Sequence, residues 1–228
     1  MNKIKIAGIL LLLQACQGSY EYKATTVPDN RIVVDGDLVE SDWQGSRVVK
    51  EFSNPWNKAV SPETSLRMVR DSINLYFFFE AADTTLVVEP TISDERGVEK
   101  EDRVELFFSK DPDMTEYYGF EMDAMGRVLS YQAQHYRKFN FSWDLPEGFT
   151  IAARIDSAGY KVEGAIPISF LKSLGKNGKC YFGAYRAEFS KRDTTLVEEW
   201  LAWKDPGTQY PDFHVPTSLG KLLWGMKR

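Results

Sequence analysis

The chain predicts an all-β fold, an antiparallel β-sandwich with one or two short helices, and three observations carry that expectation. Short runs rich in β-branched and aromatic residues recur along the sequence, each closed by Asp, Asn, Ser, Gly or Pro. Several runs alternate apolar and polar residues with the period of two that sends successive side chains to opposite faces of a strand. Helical spacing is confined to two short places. With 228 residues, 43% of them hydrophobic, the chain is long enough to bury a sizeable core.

The first residues read as an address. Lys3 and Lys5 precede a short apolar run, Ile6 to Leu13, too brief to span a membrane. The run ends in Leu13-Gln14-Ala15-Cys16, which resembles the lipobox of a bacterial lipoprotein. That resemblance implies cleavage before Cys16, with acyl chains on its thiol serving as the membrane anchor. Residues 1–15 are then a lipoprotein signal peptide, 16–30 a polar tether and 31–228 the folded domain. The protein is expected at the bacterial cell envelope, on the outer membrane or cell surface. With Cys16 acylated, Cys180 lacks a partner and is expected as a buried thiol on a strand.

The strand-like runs follow in order. Ile32–Val34 is closed by the turn Asp35-Gly36-Asp37, and Leu66–Val69 and Leu75–Ala81 flank Asp71-Ser72. Arg103–Ser109 stops at Asp111-Pro112, and Tyr117–Met125 and Val128–Gln134 meet at Met125-Gly126. Thr150–Ile155 and Tyr160–Ile166 meet at Ser157-Ala158-Gly159. Cys180–Ser190 follows Asn177-Gly178, and Leu219–Trp224 comes last. The two helical stretches are Glu40–Trp43 and Pro167–Leu174, where Pro167 starts a turn that packs Phe170 and Leu171. Nine or ten strands without an internal repeat make a sandwich.

Composition removes several function classes. A net charge of −5 and a pI near 5.2 argue against nucleic-acid binding, which needs a basic face. Two His and two Cys nearly exclude metal centres built on imidazole or thiolate. The chain has neither a Gly-x-Ser-x-Gly nucleophile elbow nor a Gly-rich phosphate loop.

Alternation also sorts candidate residues. Val104, Leu106 and Phe108 share one strand face and Arg103, Glu105 and Phe107 the other, while Arg186 and Glu188 share a face further on. Charges pointing inward must be paired or lie at a rim, so Arg103, Glu105, Arg186 and Glu188 are expected in one polar cleft, with a purely structural ion-pair network as the alternative. Trp200 and Trp203 are three apart and face opposite ways, one toward the core and one toward a site. Trp56, in the polar loop Ser53-Asn54-Pro55-Trp56-Asn57, is either a site wall or a lid over one end of the sandwich, and Trp143 has the same two readings.

Three landmarks make the chain resemble the family 9 carbohydrate-binding modules, relatives of the DOMON-type sandwich. They are Val34-Asp35-Gly36 with Glu40 and Trp43; Asp71 to Phe77 followed by Asp102-Arg103-Val104-Glu105-Leu106-Phe107; and Trp203 followed by Phe213 to Gly220. Tyr160 to Pro167 fits a fourth edge, so the likeness runs from Arg31 to Trp224. It implies an immunoglobulin-like or DOMON-type jelly roll, with Trp43 filling the core under the Asp35-Gly36 turn.

The resemblance further implies non-catalytic binding of an oligo- or polysaccharide end between two aromatic rings, with carboxylates and amides on the hydroxyls. A pyranose offers C–H faces to a π surface and needs donors and acceptors around its rim. Position by position, the family's acid falls on Glu105 and its second slot aromatic on Phe213. Gly97 to Glu101 carries no aromatic where the first slot Trp belongs, and Glu121 stands where the sugar binders have Arg. Trp56, Trp143 or Tyr118 is then the expected substitute wall, with Arg186 as a further polar contact.

Family 9 sugar binders hold structural calcium through oxygen ligands, and Asp83 occupies the acid that ends the family's long central strand. Some DOMON relatives bind haem instead; Met114, Met122, Met125, His135 and His214 offer material, but no spacing singles out a pair. Two further readings remain: an interaction lipoprotein whose eroded slot docks an envelope protein partner, and a glycoside hydrolase using a carboxylate pair such as Glu105 and Glu121.

Overall fold

The computed structural model describes residues 20–225 apart from 90, 92–94, 176 and 194. The expected signal peptide and Cys16 lie outside the described residues. The strands are β1 (Glu21–Lys23), β2 (Thr25–Thr26), β3 (Val48–Val49), β4 (Thr64–Arg70), β5 (Asn74–Ala82), β6 (Arg103–Ser109) and β7 (Tyr117–Asp123). They continue with β8 (Val128–Gln134), β9 (Lys138–Asn140), β10 (Thr150–Asp156), β11 (Gly159–Pro167), β12 (Lys179–Arg192), β13 (Thr195–Ala202) and β14 (Gly220–Leu223). One α-helix, α1 (Ile168–Leu174), follows β11 directly, with Pro167 as its N-cap.

Two sheets face each other. The eight-stranded sheet runs β1-β14-β12-β6-β7-β8-β9, with β13 also paired to β12; the six-stranded sheet runs β10-β11-β5-β4-β2, with β3 also on β4. Most pairs are antiparallel, but β1 lies parallel to β14 and β2 parallel to β4. Leu66, Met68, Phe77 and Phe79 of one sheet pack between the layers against Val104, Leu106, Phe108 and Phe120 of the other. The alternation in β6 therefore sends Val104, Leu106 and Phe108 inward and leaves Arg103, Glu105 and Phe107 on the outer face of the larger sheet.

Two expectations are corrected by this layout. Residues 21–26, assigned to the tether, are part of the sandwich: β1 edges the larger sheet, and β2 edges the smaller. Tyr22 is 0% exposed. Its hydroxyl donates to the Arg47 carbonyl at 2.6 Å and accepts the Met68 N–H at 2.7 Å. A run of three and then two strand residues is too short to show a period, which is why it reads as a tether. Tyr22→Ala is expected to cost about 3–5 kcal/mol, the usual loss for a buried aromatic ring, read from urea unfolding midpoints. A cost below about 1 kcal/mol would return β1 to the tether.

Ile32–Val34 is the second correction, since it forms no strand. Ile32 packs across the outer face of the smaller sheet with Trp43, Val69, Tyr76 and Phe78. What holds this segment is Glu163 on β11, whose carboxylate accepts the N–H groups of Asp35 and Gly36 at 2.9 and 2.8 Å. Gly36 has φ +85°, a conformation that suits glycine. The sequence landmark at Asp35-Gly36 and the one at Tyr160–Pro167 are thus two halves of one contact. Trp43 sits in a single 3₁₀ stretch, Ser41–Gly45, at 1% exposure, as core.

Candidate functional site

Cross-strand register decides which side chains meet on the outer face of the eight-stranded sheet. Glu105 pairs with Glu121 on β7 and with Tyr185 on β12. Arg103 pairs with Ala187, which in turn pairs with Trp200 on β13. Antiparallel partners share a face, so Arg103, Glu105, Glu121, Tyr185 and Trp200 all stand on the same side. Gly119 makes room among them: a Cβ there would lie 2.2 Å from the Tyr131 ring, which crosses over it.

Arg103, Glu105, Glu121 and Tyr131 floor a cleft of about 320 Å³, within the lower range of small-molecule sites. Arg103 Nε lies 2.9 Å from Glu105 and 2.9 Å from Glu121, with all three side chains buried. Its Nη1 donates to the Glu99 carbonyl at 3.0 Å, tying the floor to the 3₁₀ segment Glu95–Lys100. Tyr131 donates to Glu121 at 3.0 Å. Trp200 and Phe213 form one wall, ring centroids 5.8 Å apart. Phe213 is held by stacking on Tyr185 at 4.3 Å and by Trp56 at 5.9 Å. The opposite wall is Phe139 and Phe141, stacked at 5.3 Å, with the Arg96 guanidinium 4.0 Å from the Phe141 ring centre. Arg137 and Asp212 close the rim as an ion pair at 3.1 Å.

Burial governs the electrostatics here. It pushes Glu105 up to about 8, helped by the Glu121 charge and opposed by Arg103. His214, which meets the Tyr117 hydroxyl at 3.0 Å, is pushed down to about 3 by burial and then by Arg137 and Arg103. On the other sheet, burial raises Glu163 to about 7.

A carboxyl raised on folding stabilises the fold fully below its unfolded value and loses that contribution as pH rises through the folded value. Glu105 and Glu163 therefore weaken the fold as pH climbs from about 4.5 toward 8. His214 acts oppositely, holding its contribution above about 6.5 and losing it as pH falls toward 3. Two carboxyls lose stability above pH 4.5 while one imidazole gains it, so the thermal midpoint is expected to peak near pH 5 and to fall by several degrees at pH 8.5. A midpoint that rises steadily from pH 6 to 8.5 contradicts this assignment.

Of the site residues expected from sequence, Glu105, Glu121 and Phe213 meet in the cleft, with Trp56 buttressing Phe213 from behind. Its indole N–H donates to the Thr208 carbonyl at 3.0 Å. Trp200 lines the cleft and Trp203 joins the core. Tyr118 and Trp143 are brought together, 4.9 Å apart, but elsewhere: they pack with Phe120 and Phe170 against the inter-sheet core. The reason is parity, because Tyr118 is an odd number of residues from Glu121 and faces the other way. His214, expected as a hydrogen-bonded rim residue, lines the cleft, and Phe139, Phe141, Tyr131 and Arg137, which sequence reasoning misses, complete it. The alternation Phe139-Asn140-Phe141 was the available signal.

Arg186 is likewise displaced. Its neighbour Tyr185 takes the cleft side, so Arg186 points between the sheets at 0% exposure. The single polar cleft expected for Arg103, Glu105, Arg186 and Glu188 is therefore two separate centres. In the second, carboxylate oxygens of Asp83, Asp102 and Glu188 lie within 4.8 Å of one another. Arg186 Nη2 donates to the Ala82 carbonyl at 2.9 Å and to Glu188, and stands 3.8 Å from Asp83. Its Nη1 donates to Thr64 Oγ1 at 3.1 Å and to the Glu63 carbonyl at 3.3 Å.

Calcium takes six to eight oxygens at about 2.3–2.6 Å. Both Asp102 oxygens accept backbone N–H groups, from Phe189 and Val87, and one Asp83 oxygen accepts that of Thr85. The oxygens left over surround a guanidinium that is already positive. As they stand, these donors do not fit calcium.

The family model for carbohydrate family 9 binding domain-like sequences matches residues 34–224. No curated protein matches the chain. A solved structure of a candidate carbohydrate-binding protein from Bacteroides uniformis ATCC 8492 superposes with a TM-score of 0.69 at 18% identity, covering 90% of this chain and 99% of that one. A family 9 module from Caldicellulosiruptor kristjanssonii in complex with cellotriose gives 0.60 at 16% identity, over 90% of this chain and 95% of that one. The same organism's module in complex with glucose gives 0.61 at 16%, over 91% and 97%.

Proposed function

Because this chain belongs to the carbohydrate family 9 binding domain-like family, we propose that it is a non-catalytic module that holds a saccharide in the cleft above Arg103. The observation that carries this reading is the pairing of two aromatic walls, Trp200 with Phe213 and Phe139 with Phe141, over a polar floor. Aromatic faces take the C–H surface of a sugar ring, and the buried Glu121 and Glu105 with Tyr131 and His214 serve its hydroxyls. The pairing supplies the slot that the missing aromatic at 97–101 leaves open in the sequence. Glu105 and Glu121 share one guanidinium, an arrangement that supports orientation of hydroxyls over attack on a glycosidic bond, which needs an acid and a nucleophile or base flanking it.

The solved relatives in complex with glucose and cellotriose make β-glucans the first ligands to try. In this reading the module is a lipoprotein of the bacterial envelope, anchored through Cys16, whose role is read from Leu13-Gln14-Ala15-Cys16. Isothermal titration of the folded domain with glucose and cello-oligosaccharides, backed by a glycan array, tests the function. Saturable binding to a defined saccharide is expected. A blank array from folded protein overturns it and moves the search to an envelope protein partner.

A further inference from the structure

The second charged centre departs from what the family resemblance implies. We propose that Arg186 is a built-in cation that replaces calcium between the sheets, so that this sandwich closes without a metal ion.

The position of the guanidinium supports this. Asp83 lies just past the end of β5, Asp102 just before β6, and Glu188 on β12, so the three carboxylates come from three separate parts of the sandwich. Three carboxylates brought that close need a positive charge among them, or each buried charge is unpaired and costly. Arg186 supplies it from β12 itself. One nitrogen reaches Glu188, the Ala82 carbonyl and, at 3.8 Å, Asp83; the other reaches Thr64 and the Glu63 carbonyl. These are hard oxygen groups of the kind a divalent ion collects. Here they surround a planar cation whose five N–H donors are fixed in direction. The Tyr160 ring covers the group, its centroid 5.6 Å from Arg186 Cζ.

A covalently attached cation cannot be removed by dilution or chelation. Calcium stabilises a protein that binds it by an amount set by its concentration over its dissociation constant, whereas Arg186 contributes at every calcium level. Its presence also opposes a second cation at the same oxygens.

The test is thermal unfolding of the full chain in millimolar calcium and in chelator, with Arg186→Gln alongside. The wild-type midpoint is expected to agree within about 1 °C between the two conditions. Arg186→Gln is expected to unfold about 10 °C lower in chelator, as a buried charge cluster does on losing one sign, and to recover part of the loss in calcium. A wild-type midpoint raised several degrees by calcium overturns the proposal. So does an Arg186→Gln variant that is as stable as wild type in chelator. If Arg186→Gln does not fold, the wild-type comparison decides alone, and neither arm depends on whether the cleft binds sugar.

Discussion

Replacing Arg103 with Met is expected to cost the fold about 3–5 kcal/mol at neutral pH, the penalty for stripping one partner from a buried ion group. Glu105 and Glu121 face each other directly across β6 and β7, and Arg103 is the cation in contact with both. Without it, two carboxylates stand side by side in a dry floor and repel. They can escape by binding a proton, so the loss should be markedly smaller at pH 5 than at pH 8. That pH dependence separates lost charge from lost packing, since a mere cavity would cost the same at both. Arg103→Lys keeps the charge but reaches fewer acceptors, and should fall between the two. Denaturant unfolding of the three proteins at both pH values decides it. An Arg103→Met variant within 1 kcal/mol of wild type at pH 8 would show that the floor is not held by this ion group.

Trp200→Ala is expected to weaken saccharide binding about 30-fold, the roughly 2 kcal/mol of a Trp contact at the centre of a recognition site. Trp200 is only half-buried on the surface of β13, so its truncation should leave the fold nearly as stable as before. Phe213 is a poorer probe, because it is stacked under the wall on Tyr185 and its loss would disturb packing as well. The informative control is Trp143→Ala. Trp143 touches Tyr118, Phe120 and Phe170 on the inter-sheet side, so its removal should lower stability yet leave affinity within about twofold. If Trp143→Ala loses binding and Trp200→Ala does not, the site lies at the sandwich edge and the cleft above Arg103 is the wrong place.

Those two tryptophans show what the sequence could and could not disclose. Period-two alternation within one strand is local, so the split of β6 into Val104, Leu106 and Phe108 against Arg103, Glu105 and Phe107 is legible directly. The opposite facing of Trp200 and Trp203 follows in the same way. Which face of one strand continues onto which face of the next depends on register, and register is set by turns and by packing across the whole sheet. Tyr118 and Arg186 were assigned to the cleft without it, and each turned out to be on the other side. The short elements were illegible for a different reason: β1, β2 and β9 have too few residues to display a period. Motif residues fared better. Trp43, Asp35-Gly36 and the Tyr160–Pro167 edge were readable as landmarks, though nothing in the spacing tells that Glu163 is what grips the Asp35 turn.

The parallel pairing of β1 with β14 has a kinetic consequence. Glu21 lies beside Lys221 and Tyr22 beside Leu222, so the first described strand finds its partner in the last. During synthesis β1 waits without this partner until β14 has been made. Until then Tyr22 lacks its neighbour Leu222. Pairings this distant in sequence also carry the full entropy of closing the intervening loop, which places such topologies among the slow folders. The edge that seats Tyr22 is therefore among the last of the described pairings that synthesis makes possible.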